Sequence, residues 1–131
     1  MPERAQRALR ELVEKSLGEL ERVILATRDG VLVAASNPSD IDDILAALGA
    51  ALLNGIEDAF ISRFASGVKG ISVELEDGRL FIVRAVGVAG SGVLCLLTRP
   101  KPNLGLIYHL LEKLPEAEVE ELEPEEGGGG G

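Results

Sequence analysis

The stretch "RVILATRDGVLVAAS", residues 22–36, decides the fold of this chain. Two apolar runs rich in β-branched residues, 22–27 and 31–36, flank the pair Asp29-Gly30. Asp-Gly between two such runs is a strong β-hairpin signal, because both central residues of the favoured turn adopt positive φ. Asp29 has no base, acid or metal ligand beside it in sequence, so we interpret it as a turn residue and not as a catalytic group.

Helical patterns lie on both sides of this hairpin. Apolar residues at steps of three and four predict a first amphipathic helix over about residues 3–21. The segment "NPSDIDD", residues 37–43, ends the second strand and starts a second helix over about residues 41–64. Either Ser39 or Asp40 is expected to cap the first amides of this helix, and the acids of its first turn suit the positive end of the helix dipole.

Three more strands and a last helix complete the pattern. We expect strands at about 70–76, 79–87 and 92–98 and a helix at about 104–114. The element order is therefore α-β-β-α-β-β-β-α, and every link between consecutive strands is a tight turn. This order predicts one α+β domain, residues 1–114, in which helices pack on an antiparallel sheet.

The charge of the chain is concentrated at its C-terminal end. The 131 residues carry a formal net charge of −9, yet seven of the 22 acids and none of the 13 bases lie beyond Leu114. The first 114 residues therefore hold 15 acids and 13 bases, a net charge of −2. Such a body lacks the basic footprint that nucleic acids require. Residues 115–131, acidic and ending in five glycines, are predicted to be a disordered tail that folding does not need.

The sequence points to a cytoplasmic protein that does not insert into a membrane. Cys95 is the single cysteine, so no disulfide forms within one chain. The N-terminal residues are charged throughout and lack the apolar stretch of a signal peptide. The longest unbroken apolar run, residues 44–53, is about half the length that spans a bilayer. Cys95 itself lies in the apolar run "VLCLL" and is expected to be a buried core residue.

Residues for catalysis or cofactor binding are scarce. His109 is the single histidine and falls off the apolar side of the last helix, and no Gly-x-Ser-x-Gly motif occurs. "DIDD" at 40–43 is typical of a helix start, and "GVAGSG" at 87–92 precedes a strand instead of the helix that a phosphate loop needs. We therefore expect no enzyme, no cofactor and no metal. One polar group ahead of the last helix stays open as a contact for an anion or a partner's acid: Arg99, Lys101 and Asn103.

The second helix carries more apolar surface than one sheet can cover. One stripe is sufficient to cover the sheet: Ile41, Ile44, Leu45, Leu48, Leu52, Ile56 and Ala59. The roughly opposite side is also apolar, with Glu57 as its one charge: Ala46, Gly49, Ala50, Leu53, Phe60 and Ile61. A helix that is apolar all round is buried all round. Either the first or last helix covers this second side, or a second copy of the chain does, since small residues allow two backbones to approach closely.

Two segments resemble the roadblock family, which includes dynein light chains and gliding-protein regulators. "ERVILATRDGVLVAAS", residues 21–36, is similar to the first hairpin of that family. "VLCLLTRPKPNLGLIYHLLEKL", residues 93–114, is similar to its C-terminal signature, with Asn103, Leu104 and Gly105 opening the last helix. The resemblance extends from about residue 9 to residue 114.

The resemblance implies a profilin-like fold, with a five-stranded antiparallel sheet between helices. It also implies a homodimer joined by the second helices and by the strand at 70–76. Together with the apolar side of the second helix, it gives an expected dimer interface: Ala46, Gly49, Ala50, Leu53, Glu57, Ile61, Ile71 and Val73.

Family members act as non-enzymatic platforms for small Ras-like GTPases, or as adaptors. Two hypotheses therefore stand: a regulator or scaffold of a small Ras-like GTPase, and an adaptor or sensory subunit that binds another protein or a small ligand through the same dimer. Six arginines lie near predicted strands or element ends, and no motif singles one out as an arginine finger: Arg22, Arg28, Arg63, Arg79, Arg84 and Arg99. This favours an indirect route, in which the dimer holds the switch loops of the GTPase in an active arrangement.

Overall fold

A computed structural model describes residues 3–113, the side chain of Val88 excepted. Its elements follow the predicted order: α1 Glu3–Lys15, β1 Leu20–Thr27, β2 Leu32–Ala35, α2 Asp42–Phe64, β3 Gly70–Glu74, β4 Leu80–Val86, β5 Gly92–Thr98 and α3 Leu104–Glu112. The predicted tail, residues 115–131, lies outside the described residues.

The five strands form one antiparallel sheet with the order β2-β1-β5-β4-β3. The central pair is β1 and β5, in which Ile24 lies opposite Cys95. Strand β3 pairs only with β4, from Gly70 opposite Arg84 to Glu74 opposite Leu80. Its outer edge therefore has no partner strand within the described part of the chain.

The sheet lies between two helical layers because its strands alternate in the side on which they bury side chains. Val23 and Leu25 of β1 join a core with α1 and α3, whereas Ile24 and Ala26 join a second core with α2. The predicted α+β fold, with a five-stranded antiparallel sheet between helices, is confirmed.

The first hairpin turns at Asp29-Gly30 as predicted, but only Gly30 has the positive φ that was expected of both residues. Gly30 has φ +85°, which a residue with a side chain rarely adopts, and its N–H donates to the Thr27 carbonyl at 2.9 Å. A Cβ at Gly30 would also lie 3.2 Å from the Cα of Ala47 on α2. Asp29 is exposed and stands next to this glycine. The hairpin tip is thus shaped both for its own turn and for contact with α2.

The first helix is shorter than predicted. It ends at Lys15 instead of residue 21, because Leu17 and Gly18 take positive φ, 53° and 90°. The Ser16 hydroxyl donates to the Val13 carbonyl at 2.6 Å and accepts the Leu20 N–H at 3.0 Å. This buried hydroxyl satisfies backbone groups on both sides of the break. The strand β1 therefore begins at Leu20, a position that the helical spacing of apolar residues had assigned to α1.

The starts of α2 and α3 are fixed by polar side chains. Neither Ser39 nor Asp40 caps α2, which has no side-chain cap. Instead the buried Asp42 carboxylate accepts the Ser39 N–H at 2.8 Å and lies 2.9 Å from Arg22 Nη1 on β1. At α3 the Asn103 side chain accepts the Leu106 N–H at 3.1 Å, as a capping asparagine does.

Candidate interaction surface

The sheet-facing side of α2 is its small side, which reverses the sequence-based assignment. Ala46, Gly49, Ala50 and Leu53 are buried within the chain. A Cβ at Gly49 would lie 2.3 Å from Cys95 Sγ, so α2 reaches the sheet only because this position lacks a side chain. Because these four residues are buried against the sheet within one chain, they are not available to a second chain, and the expected dimer contacts at them are wrong.

The large apolar residues of α2 face outward instead. A ridge with a spacing of four residues runs along the helix: Ile44, Leu48, Leu52, Ile56 and Phe60. Leu52 is half-buried and the other four are exposed, Ile44 to 66%. Phe60 stacks on Phe64, itself 70% exposed, with ring centroids 5.5 Å apart. A contiguous exposed apolar surface of this kind marks a site that another molecule covers.

A row of small residues runs beside this ridge on the same exposed side. Its members also recur every four residues: Ala47, Ala51, Gly55 and Ala59. A Cβ at Gly55 would meet nothing within 4 Å. The ridge of one helix packs into such a groove of another when both have this spacing, at a crossing angle of about 50°. The exposed side of α2 therefore has the shape that packs against a second copy of itself.

The other expected interface residues are placed as follows. Ile61 is exposed near the end of α2. Ile71 and Val73, on the edge strand β3, are half-buried against the core under α2. Glu57 is half-buried in a network of polar side chains. No contact with a second chain tests these four residues, and their part in a dimer stays a prediction.

That polar network joins α2 to three connecting segments at one end of the sheet: those between β1 and β2, between α2 and β3, and between β4 and β5. Arg28 Nη1 lies 2.9 Å from Asn54 Oδ1 and 3.1 Å from Glu57 Oε1, and its Nε donates to the Gly90 carbonyl. Glu57 Oε2 accepts the Val68 N–H at 3.0 Å, and the Asn54 amide donates to the Arg28 carbonyl at 2.9 Å. This network was not predicted from the sequence, although Glu57, the one charge on that side of the helix, was a usable signal.

The network makes stability depend on the ionised form of Glu57. The Val68 N–H lowers the pKa of Glu57 most, partial desolvation raises it, and the Arg28 charge lowers it, with a net shift below the ordinary 4.5. A lowered folded pKa stabilises the fold above the unfolded pKa, and this contribution is lost as the pH falls through the folded value.

We therefore expect Glu57→Gln to destabilise the protein at pH 7 and to match the wild type at acid pH. The amide cannot titrate, so the difference between the two proteins shrinks as the pH falls below 4.5. Urea unfolding at a series of pH values measures it. Asp58→Asn, an exposed neighbour outside the network, is the matched control. A difference that stays constant with pH would contradict the assignment.

The residues with catalytic potential are placed as the sequence predicted. His109 is exposed and Cys95 is buried, where desolvation raises the pKa of its thiol to about 12. The open polar group ahead of α3 contacts an acid of the chain itself: Arg99 lies 3.7 Å from Glu19, which also accepts the Asn103 N–H. Within residues 3–113, no three His, Cys, Asp or Glu residues form a group that could hold a metal.

By length and composition α2 could also cross a membrane. Its mean hydropathy reaches 1.6 over an 18-residue window, of which 22% is buried inside the chain. The core helix of a folded domain passes the same test, and α2 packs one side on the sheet. The Arg22–Asp42 ion pair ties the first half of this helix to β1, and the Arg28 network ties the second half to the turn after β1. These contacts are those expected of a helix that packs on a sheet within a folded domain.

Solved structures with the same architecture are known. The chain superimposes on a Roadblock/LC7 domain from Streptomyces avermitilis with a TM-score of 0.74, at 20% identity over 88% of this chain and 91% of that one. It matches Myxococcus xanthus MglB equally well, with a TM-score of 0.74 at 16% identity over 92% and 85%. A profilin from Schizosaccharomyces pombe follows with 0.57 at 17% identity over 86% and 97%.

Sequence comparison adds one relative. An uncharacterised protein of Methanocaldococcus jannaschii is 29% identical over 103 residues, which cover 73% of this chain and 84% of that protein. No protein-family model matches the chain. Together, the order of elements, the sheet and the structural matches define a roadblock fold of the profilin-like class.

Proposed function

We propose that this chain is a cytoplasmic, non-enzymatic platform that forms a homodimer through α2 and binds a small Ras-like GTPase. The exposed side of α2 carries the proposal. Its ridge and its small-residue row leave a large apolar surface open in a fold shared with roadblock proteins. A second copy of the chain offers the complementary surface.

The arginine contacts favour the indirect route of GTPase regulation. An arginine finger must be free to enter a neighbouring active site. Four of the six candidate arginines have acidic partners within the chain: Arg22 with Asp42, Arg28 with Glu57, Arg79 with Glu21 and Asp77, and Arg99 with Glu19. Arg63 and Arg84 have no acidic partner in residues 3–113. They are the two positions that a direct mechanism would use.

Single-turnover GTP hydrolysis by small Ras-like GTPases of the same genome tests the proposal. We expect the chain alone to hydrolyse no GTP and to bind a GTPase in at least one nucleotide state. If it accelerates hydrolysis, Arg63→Ala and Arg84→Ala are expected to keep the acceleration, because the dimer acts on the switch loops. Arg79→Ala, which removes a paired surface charge, is the control.

Two outcomes would contradict parts of this proposal. An arginine finger contributes roughly 10³-fold or more to hydrolysis, so a loss of that size in one variant, with binding intact, would establish the direct route. Failure to bind any GTPase of that genome in either nucleotide state would overturn the GTPase function and favour an adaptor with another protein partner.

A further inference from the structure

A second candidate site lies on the opposite face of the sheet from α2. It is a pocket of about 200 Å³ between Tyr108, in the middle of α3, and strands β3 and β4. Five of its lining residues define its chemistry: Lys69, Gly70, Ser72, Arg84 and Tyr108. Gly70 lets the Arg84 side chain lie close across β3. A Cβ there would lie 2.6 Å from Cδ of Arg84, its partner across the strand pair.

The pocket has two positive charges and no acid. Arg84 is half-buried, and neither Arg84 nor Lys69 has an acidic partner within residues 3–113. Beside them the hydroxyls of Ser72 and Tyr108 lie 2.9 Å apart, so one of the two can donate outward. Two cations and a hydroxyl donor form a site for a carboxylate, because charged donors make the strongest hydrogen bonds to such a group.

Arg84 differs from the other arginines in or next to the strands, because those contact carboxylates of the chain. Arg22 lies in β1, Arg28 directly follows β1 and Arg79 directly precedes β4. Each of them contacts a carboxylate at 3.1 Å or less. Arg84 is the strand arginine for which the described chain provides none. A half-buried guanidinium without a counter-charge is costly, so an external carboxylate gains affinity here.

The chain after α3 is long enough to reach this pocket and carries many carboxylates. The helix starts near the β3–β4 turn, where the Lys101 N–H donates to the Gly78 carbonyl at 2.9 Å, and passes β3 at Tyr108. Lys113, the last described residue, is five positions later, or about 7.5 Å along a helix. Glu116 follows three residues on, within about 10 Å of extended chain. The segment 116–126 then contains seven glutamates and no base.

We propose that the acidic segment 116–126 of the chain binds in this pocket, with glutamate carboxylates held by Arg84 and Lys69. All 13 bases of the chain precede residue 114, and the seven glutamates follow it. The acidic segment is therefore attracted to the folded part of its own chain and finds no base within itself. The contact is intramolecular, which gives a weak carboxylate–arginine pair the benefit of a high effective concentration. It occupies the face opposite α2 and does not depend on the proposed GTPase function.

Nuclear magnetic resonance of the full chain at low salt tests this contact, without any GTPase. We expect Arg84→Gln to shift the amide signals of the glutamates in 116–126. Conversely, changing all seven of these glutamates to Gln is expected to shift the amides of Ser72, Arg84 and Tyr108. Added salt should produce the same changes in the wild type, because ions screen this attraction over about 8 Å at physiological strength.

Lys101→Gln is the matched control, since it removes one positive charge at the other end of α3 and is expected to leave the glutamate signals unchanged. Equal shifts in Lys101→Gln and Arg84→Gln would show a diffuse attraction and would overturn the proposal. Tail signals that are identical in the wild type and Arg84→Gln would overturn it as well. So would pocket amides that respond to added inorganic phosphate but not to neutralised glutamates, which would assign the pocket to a free anion.

Discussion

Gly49→Ala is expected to lower the free energy of unfolding by about 2 kcal/mol, although alanine is the better helix former. The added methyl group would lie 2.3 Å from Cys95 Sγ on β5, with Val83 and Phe81 also within 4 Å. All three neighbours belong to the core under α2, so the helix must move away from the sheet to admit one carbon. Chemical unfolding measured by circular dichroism, at fixed protein concentration, gives the value.

The contact with Cys95 makes this prediction specific. In a Cys95→Ala background the Sγ atom is absent, and we expect Gly49→Ala to cost at least about 1 kcal/mol less than it does in the wild type. Ile82→Val is the control background, because Ile82 lies in the core on the other face of the sheet. Costs that simply add in both backgrounds would show that Gly49 is not held against Cys95.

The sequence predicted the fold well because the fold depends on local signals. Gly30 turns the first hairpin where Asp-Gly predicted a turn, and β5 spans 92–98 as expected. The predicted end of α1 was wrong because the apolar spacing does not mark where the backbone leaves the helix. The apolar spacing continues to Leu20, but positive φ at Leu17 and Gly18 ends the helix, and the side-chain pattern alone does not reveal that break.

The orientation of α2 could not be predicted in the same way. Both sides of this helix are apolar, and its sequence does not say which side the sheet accepts. The choice lies in Phe81, Val83 and Cys95, whose side chains already fill the space under the helix. Small residues then face the sheet and large ones face outward, so an interface assigned from the small residues falls on the wrong side.

Long-range polar contacts could not be predicted from the sequence either. Arg28 lies 29 positions from Glu57, and Asn103 lies 84 positions from Glu19. Each residue looks like an ordinary surface charge or polar group until the strands pair. The pocket at Arg84 has the same origin, because Tyr108 is 36 positions from Ser72. The order of elements is local information, whereas these sites exist only after the sheet has formed.

Leu48→Glu is expected to convert a homodimer into a folded monomer. Leu48 is 46% exposed in the middle of the α2 ridge, so a glutamate there meets water in the single chain. In the proposed dimer the same glutamate would be buried without a partner, at a cost of about 3 kcal/mol or more, which weakens dimerisation at least 100-fold. Ala50→Glu is not a suitable test of this interface. Ala50 is only 3% exposed because it packs against the sheet, and a charge there would disrupt the fold itself.

Light scattering at micromolar concentration measures the mass, and circular dichroism verifies that the variant is folded. Leu104→Glu is the matched control, since Leu104 is 42% exposed but begins α3 on the other face of the sheet. We expect the wild type and Leu104→Glu at twice the chain mass and Leu48→Glu at the chain mass. A wild type that is monomeric at high concentration, or a Leu48→Glu variant that stays dimeric, would remove α2 as the interface. The exposed ridge would then need another occupant, and a lipid surface or a different protein would be the next to test.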